Sequence, residues 1–571
     1  MPLVSLPGRI VGPLVSRRFI MNKTRSTLCN ARIEYNPKLP IAFRKGLKEV
    51  VLEKGKATES VSDQEQIKKL FPNTYGAPVI TFKSGTPTNL SPLNVGVVLS
   101  GGQAPGGHNV ISGIFDGIKS INKDSRLFGF LGGPSGLVER KFIEITDEHI
   151  NLYRNAGGFD MIGSGRTKLE TEEQFKMCID LAKGHNLNCV VIIGGDDSNT
   201  NAAVLAEYFA EKKVPCSVIG CPKTIDGDLK NEYIETPFGF DTACKTYAQL
   251  VGNIQRDANS AKKYWHFIKI MGRSASHIAL EVALQTHPNV CLISEEVEKK
   301  GMTLSQVVKE ITDVVESRAK DGKNFGVAVI PEGLVEFMPD VKKLISELNE
   351  AMVHLEKELE ALTKDEDKIS KICEKLSKES ATVLKSLPIG IQSQLLAERD
   401  PHGNVQVSLI ETEKLLMEMV GKELKARSNG KLKLKALNHF YGYEGRCAHP
   451  SNFDSDYAYS LGYAAAALAQ NKLTGYISSV SNLAAHVDEW KAGGVPATML
   501  MNMERRHGKD KPVIQKALVE LDGAPFQTFA ENRAHWAATE SYFYPGTIQF
   551  FGPSEICDAV TLTLALEAQD R

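Results

Sequence analysis

Short β-branched apolar runs alternate along this chain with longer stretches in which apolar residues return every third or fourth position. Asn94 to Leu99, Cys189 to Ile193 and Ser217 to Gly220 are such runs, closed by turn residues, which predicts parallel strands buried on both faces. Asn201 to Lys212 has helical spacing. Further strands are predicted at Trp265 to Ile270, Asn289 to Ile293 and Phe325 to Ile330. Strands alternating with helices over this length indicate an α/β architecture with two doubly wound, Rossmann-like domains. Between residues 341 and 435 the pattern changes: Leu344, Leu348, Met352, Leu355, Leu359 and Leu362 recur at helical spacing among charged residues. This predicts a helical insertion whose stripe is a packed face, too short and irregular for sustained heptads. The chain divides accordingly into an N-terminal extension (1–93) with a short amphipathic stretch at Asp63 to Leu70, a first domain (94–238), a second (239–340), the insertion (341–435), and a last part (436–571) that completes the second domain and returns to the first.

Composition narrows the class. A chain of 571 residues, 42% hydrophobic, can bury more than one core. Its 68 Lys and Arg balance 69 Asp and Glu, so no global field favours nucleic acid or an anionic membrane, and any anion site has to be local. No run of 18 apolar residues occurs, and the apolar patch around Gly462 to Ala469 is too short to span a bilayer. The 10 cysteines, among them Cys29, Cys178, Cys221, Cys373 and Cys557, form no CxxC pair and read as reduced, buried thiols of a cytosolic protein. The first thirty residues carry Arg9, Arg17, Arg18, Lys23 and Arg25 and no acid, as an organelle transit peptide would. Pro2, Pro7 and Pro13 interrupt any amphipathic helix there, so a cytoplasmic location is expected.

Three strand ends carry matching chemistry. Ile192-Ile193 runs into Gly194-Gly195-Asp196-Asp197, Ile219-Gly220 into Cys221-Pro222-Lys223-Thr224-Ile225-Asp226-Gly227-Asp228, and Val98-Leu99 into Ser100-Gly101-Gly102-Gln103-Ala104-Pro105-Gly106-Gly107. Gly-Gly-Asp alone fits an ordinary strand-to-helix turn with a capping Asp equally well. In an open α/β sheet, however, the carboxyl ends of the strands share one crevice, so three glycine-rich and acidic loops would face one phosphate and metal site. Mg²⁺ keeps water and takes few protein ligands, so a carboxylate here would hold it together with phosphate oxygens.

The strings SGGQAPGGHN, GGDDSNTNA, PKTIDGD, GFDTA, MGR, IPEG and GYEGR, in this order and spacing, resemble the phosphofructokinase superfamily and, within it, the long pyrophosphate-dependent 6-phosphofructokinases. The match runs from about Asn94 through GYEGR and more loosely to the end. The resemblance implies two domains of phosphofructokinase type. It also implies an enzyme of glycolysis and gluconeogenesis that reversibly transfers a phosphoryl group from pyrophosphate to O1 of fructose 6-phosphate with Mg²⁺. Phosphoryl transfer needs a base, a metal, cations and an acceptor anchor. The resemblance places the proton acceptor at Asp226, with Thr224, Ile225 and Asp228 supporting it, the Mg²⁺ ligand at Asp196 and the donor phosphate at Gly102. The glycine-rich setting of Arg166 makes it a further phosphate candidate. Met271, Gly272, Arg273, Glu332, Tyr443, Glu444, Gly445 and Arg446 would recognise the acceptor, Arg273 and Arg446 through planar forks. Lys263 and Tyr264 would reach in from a neighbouring subunit, so a homodimer or larger oligomer with shared sites is implied. Lys431, Lys433 and Lys435 read as a solvated charge run rather than helpers. Trp265, His439, Met499, Met501 and Met503 read as core residues.

Donor choice turns on Asp197 and Lys223. ATP-using relatives have glycine at both positions; here a carboxylate stands where the inner phosphate of a nucleotide would lie. Like charges about 4 Å apart repel by roughly 4 kcal/mol at an effective dielectric of 20. Lys223 would neutralise the departing inorganic phosphate. Two alternatives stay open: an ATP-dependent phosphofructokinase, and a non-catalytic regulatory subunit of a hetero-oligomer, which would not need a base and a metal ligand together.

Overall fold

The computed structural model describes residues 29, 32–87, 89–360, 362, 364–396, 405, 407–506, 509–548, 558 and 560–569. The basic N-terminal tail and Cys557 lie outside the described residues. A nine-stranded sheet is built from β1 (Val50–Ala57), β2 (Pro78–Ser84), β3 (Asn94–Leu99), β4 (Arg126–Phe130), β5 (Phe142–Ile145), β6 (Cys189–Gly194), β7 (Ser217–Pro222), β12 (Tyr476–Ser481) and β13 (Lys491–Pro496), in the order β1-β2-β13-β12-β7-β6-β3-β4-β5. Its central strands β12, β7, β6, β3 and β4 are parallel and its edges antiparallel. A smaller parallel sheet holds β8 (Trp265–Ile270), β9 (Val290–Cys291), β10 (Gly326–Pro331) and β11 (Ala436–Tyr441), in the order β11-β8-β10-β9.

The apolar runs work as expected for strands covered on both sides. Val97, Val191 and Ile193 face one core while Val98, Val190 and Ile192 face another across the sheet. On the first side the helices Gly107–Ile121 and Asn452–Gln470 meet backbone to backbone: a β-carbon on Gly462 would lie 2.3 Å from the Val110 carbonyl oxygen. The apolar patch around Gly462 is therefore a helix–helix seam. Leu344, Leu348, Leu355 and Leu359 of the insertion pack with Ile372, Leu384 and Leu416 against Phe267 and Ile330 of the small sheet, so the periodic stripe is a buried face.

The first 93 residues do more than extend the chain. β1 and β2 add two strands to the large sheet, and Phe43, Leu47 and Val50 enter its core. As an edge strand, β1 is exposed over its second half, so its sequence lacks the apolar signal of the central strands. The strand predicted at Asn289 to Ile293 shortens to two residues at the edge of the small sheet. Among the described residues no helix is long and apolar enough to cross a membrane.

Candidate active site

The carboxyl ends of β3, β6 and β7 lie side by side in one parallel register, and their loops are tied together by hydrogen bonds. Asn199, fully buried, donates to the carbonyls of Gly194 (2.6 Å), Gly195 (2.9 Å) and Cys221 (3.3 Å), which locks the β6 and β7 ends to each other. The Gly101 amide donates to Gly165 O at 2.9 Å, bringing the loop that carries Arg166 against the first glycine loop. Asp196 and Asp197 open the helix Asp196–Glu211, where the positive end of the helix dipole favours carboxylates. Gly227 has φ +78°, and a side chain there would also meet Phe240 at 3.0 Å, so the turn presenting Asp226 and Asp228 requires glycine.

The small sheet supplies the facing wall. Its loops after β8, β10 and β11 carry Met271-Gly272-Arg273, Glu332 and Tyr443-Glu444-Gly445-Arg446, because Ile270, Pro331 and Tyr441 end their strands in register. Gly333 lets two of these loops touch: a β-carbon there would stand 1.8 Å from the Arg273 carbonyl oxygen. Gly445 is pressed under the Tyr247 ring, whose hydroxyl donates to Gly442 O at 2.5 Å. The GFDTA motif acts as a brace. Asp454 accepts from the Gly239 and Thr242 amides at 2.9 Å, fixing the start of the helix Phe240–Ala261 below the site.

Four of the residues singled out in the sequence converge closely. The Lys223 ammonium donates to Gly102 O at 2.8 Å, and Arg446 Nη2 lies 4.0 Å from Asp226 Oδ1. A β-carbon on Gly102 would stand 3.2 Å from Arg446 Nη1 and 3.8 Å from Arg166 Nη2, so both guanidiniums border this glycine. Arg446 also donates to Gln103 O at 3.2 Å and to Met271 Sδ at 2.9 Å, spanning both walls. It therefore borders the donor loop as much as the acceptor loops. Asp226 is held by its own amide, which donates to Thr224 Oγ1 at 3.1 Å, while its Oδ1 is buried and makes no hydrogen bond.

Electrostatics follow from this crowding. Burial pushes the Lys223 ammonium down to about 8, with Arg446 adding to the effect against Asp226 and Asp196. Burial, then the charges of Asp226 and Asp196, raise the Asp228 carboxyl to about 7. Glu332 is raised by burial and by Asp226. Asp197 stands apart. It is half-exposed at the mouth of the site, with Lys168 Nζ 3.7 Å away, so its repulsion toward an anion is screened and falls below the roughly 4 kcal/mol of a desolvated pair.

Other residues fall elsewhere. Arg273 pairs with Glu336 at 3.1 Å on the rim, half-exposed. Tyr443 is exposed, and Glu444 accepts from the Gly442 amide at 2.7 Å. Lys263 and Tyr264 precede β8, at the opposite end of a strand roughly 20 Å long, so within one chain they do not reach the site. Lys431, Lys433 and Lys435 are exposed at that same far end, where Lys435 O accepts from the Trp265 amide. Trp265 and Met501 are core residues, Met499 and Met503 are half-buried, and His439 pairs with His266 at 2.9 Å. Cys178, Cys189, Cys216, Cys221 and Cys244 are buried, with thiols raised by desolvation, whereas Cys447, beside Arg446, is exposed, contrary to the expectation of buried thiols. Sequence reasoning missed Asn199, Lys168 and Lys516. Lys168 neighbours a glycine-rich motif; Lys516 carries no local signal, since only the tertiary fold brings it here.

Residues 94–469 match the family described as Phosphofructokinase. The chain belongs to the phosphofructokinase family. Among its relatives is pyrophosphate-fructose 6-phosphate 1-phosphotransferase of Porphyromonas gingivalis, 56% identical over 553 residues that cover 96% of this chain and 100% of the relative. The beta subunit of that enzyme from Solanum tuberosum is 52% identical over 548 residues, 95% of this chain and 94% of the relative. Among solved structures, a pyrophosphate-dependent phosphofructokinase from Nitrosospira multiformis superposes with a TM-score of 0.52 at 17% identity, over 82% of this chain and 97% of that one, a likeness of fold.

The carboxylates of the site bear on the Mg²⁺ expected from the sequence. Among the described residues no group of three or more His, Cys, Asp or Glu is placed to hold an ion. Mg²⁺ binds through one or two carboxylates and completes its shell with water and phosphate oxygens. Asp196, with the unbonded Asp226 Oδ1 in the same pocket, provides hard oxygen donors of this kind.

Proposed function

We propose that the protein reversibly transfers a phosphoryl group from pyrophosphate to O1 of fructose 6-phosphate, giving fructose 1,6-bisphosphate and inorganic phosphate. The observation that carries this reading is the meeting of Lys223, Gly102, Arg446 and Asp226 in one pocket, with a carboxylate, Asp197, at its mouth. The names of the two curated relatives, which this chain covers almost end to end, support the same reaction.

Asp226 takes the proton from O1 of the sugar; that oxygen then attacks the phosphorus in line, and the bridging P–O bond breaks with its electron pair leaving on inorganic phosphate. Thr224, Ile225 and Asp228 fix the turn. Lys223 and Arg166 neutralise the donor phosphates, beside the Gly102 backbone. Asp196 would hold Mg²⁺, which when bound would screen charge on the phosphate oxygens. Met271, Gly272, Arg273, Glu332 and Tyr443 to Arg446 orient the acceptor, with Arg446 also reaching the transferring group. Lys263 and Tyr264 complete the site of a neighbouring subunit in a cytoplasmic homodimer or larger oligomer.

Steady-state assays of the purified chain with fructose 6-phosphate and Mg²⁺, supplied in parallel with pyrophosphate and ATP, test the reading. Pyrophosphate is expected to support turnover with an efficiency at least about a thousandfold above that of ATP, the scale of a few kcal/mol of exclusion. Turnover with ATP alone would reverse the assignment.

A further inference from the structure

Lys516 lies in the segment that follows the hairpin of β14 (Met501–Arg506) and β15 (Lys509–Ile514), far in sequence from every motif described above. Its backbone is pinned on both sides. The Gln515 amide donates to Leu500 O (2.8 Å), the Ala517 amide to Asp228 O (2.8 Å), and Ala517 O meets His277 Nε2 at 2.9 Å. The Val519 amide reaches the buried Glu295 carboxylate at 3.1 Å. So anchored, the side chain crosses the cleft. Its ammonium donates to Ser274 Oγ at 2.6 Å, next to Arg273 on the small-sheet wall, and stands 3.6 Å from Asp196 Oδ2 on the large-sheet wall. Burial lowers its proton affinity, yet Asp196, Asp228, Asp197 and Asp226 together outweigh that and hold it charged.

We propose that Lys516 is a phosphate ligand of this reaction, which neutralises the carboxylate cluster around Asp196 in the ligand-free chain and passes to an oxygen of the transferred phosphoryl group when a divalent cation takes Asp196. The inference rests on the phosphotransfer reading above. Two arguments support it. First, a divalent cation on Asp196 and an ammonium against the same carboxylate repel, so the ammonium turns to the nearest new anion, which on the reading above is the phosphoryl group between the metal ligand Asp196 and the base Asp226. Second, the anchored backbone and the Ser274 hydroxyl limit that turn to a side-chain rotation, so the donor stays poised over the transfer path. Lys516 acts by position and charge and moves no proton.

The test uses the full chain with Lys516→Met and Lys516→Arg. In Lys516→Met, kcat/KM for pyrophosphate is expected to fall about 100-fold, as loss of one aimed cation should. Binding of fructose 6-phosphate alone, by calorimetry, should stay within about threefold, and Lys516→Arg should recover at least about a tenth of the wild-type efficiency. Paramagnetic titration of the ligand-free chain with Mn²⁺ should show affinity rising about tenfold in Lys516→Met, because a competing cation is gone, and unchanged in Lys516→Arg. Unchanged Mn²⁺ affinity in Lys516→Met, or donor efficiency within about threefold of wild type, overturns the proposal. So does an equal loss for both substrates with a lowered Tm, which marks a strut between the walls. A wild-type chain that ignores pyrophosphate refutes the function instead, and the Mn²⁺ titration still decides the place of Lys516.

Discussion

Asp226 and its neighbours concentrate the chemistry in a few atoms, so the sharpest expectations are for single residues. Asp226→Ser should keep fructose 6-phosphate binding and lower kcat by about two to four orders of magnitude, the range for losing a general base; stopped assays beside calorimetry separate the two effects. Lys223 sets a pH limit. With its ammonium pushed down to about 8 in the free chain, the cation facing the donor is lost above that pH, so kcat/KM for pyrophosphate should decline there. Lys223→Arg, permanently charged, should remove the decline. Asp228 acts on stability with the opposite protonation sense. Between the ordinary carboxylate range and about 7 the folded chain keeps a proton that the unfolded chain has released, so this group stabilises the fold at low pH and the contribution is lost as pH rises to about 7. Thermal melts of Asp228→Asn, compared with wild type across that window, should lack this slope. Asp197 is the residue where sequence reasoning overreached in magnitude. Half-exposed and beside Lys168, it repels weakly, so Asp197→Gly should admit ATP only detectably while pyrophosphate turnover falls, as a two-donor assay would record.

At the scale of elements, the central strands and the helical insertion were legible because burial on both faces and a helical stripe leave periods that any packing must respect. β1 was not, since it is an edge strand exposed over its second half, and β2, although paired on both sides, was lost in the Pro and Gly punctuation of the first 93 residues. The brace of Asp454 on Gly239 and Thr242 was hidden for a different reason: it joins residues more than 200 positions apart. One tertiary tie of this sort invites a test. Lys269 on β8, two residues before Met271, is buried against Glu413 at 3.6 Å, donates to Ile410 O at 2.9 Å and sits 4.5 Å over the Phe440 ring. It clamps the insertion helix Thr412–Arg427 to the strand that carries the acceptor loop. Glu413→Leu leaves a buried ammonium without its carboxylate and should cost about 3 kcal/mol or more, and Lys269→Met with Glu413→Leu should cost less than the two singles summed. Denaturant titration of the three variants measures this.

The whole molecule sets the carboxyl ends of the large sheet's central parallel strands against those of the small parallel sheet, and Arg446 and Lys516 each touch both walls. The motifs revealed the loops; only the fold reveals that Lys263 and Tyr264 lie a strand's length from their own site. If neighbouring subunits share sites, reassociated mixtures of inactive Lys263→Ala and Asp226→Ser chains should regain about a quarter of wild-type activity, since half the dimers are mixed and each has one intact site. Mixtures as inactive as the parents would mean that Lys263 does not complete a neighbour's site. The central claim is that phosphoryl transfer between pyrophosphate and the sugar proceeds without nucleotide. Phosphorus NMR of the purified chain with Mg²⁺ reads it directly, from both directions. Fructose 6-phosphate with pyrophosphate should yield fructose 1,6-bisphosphate and inorganic phosphate, and the reverse mixture should build up a pyrophosphate resonance. Spectra that stay unchanged until ATP is added would contradict the account.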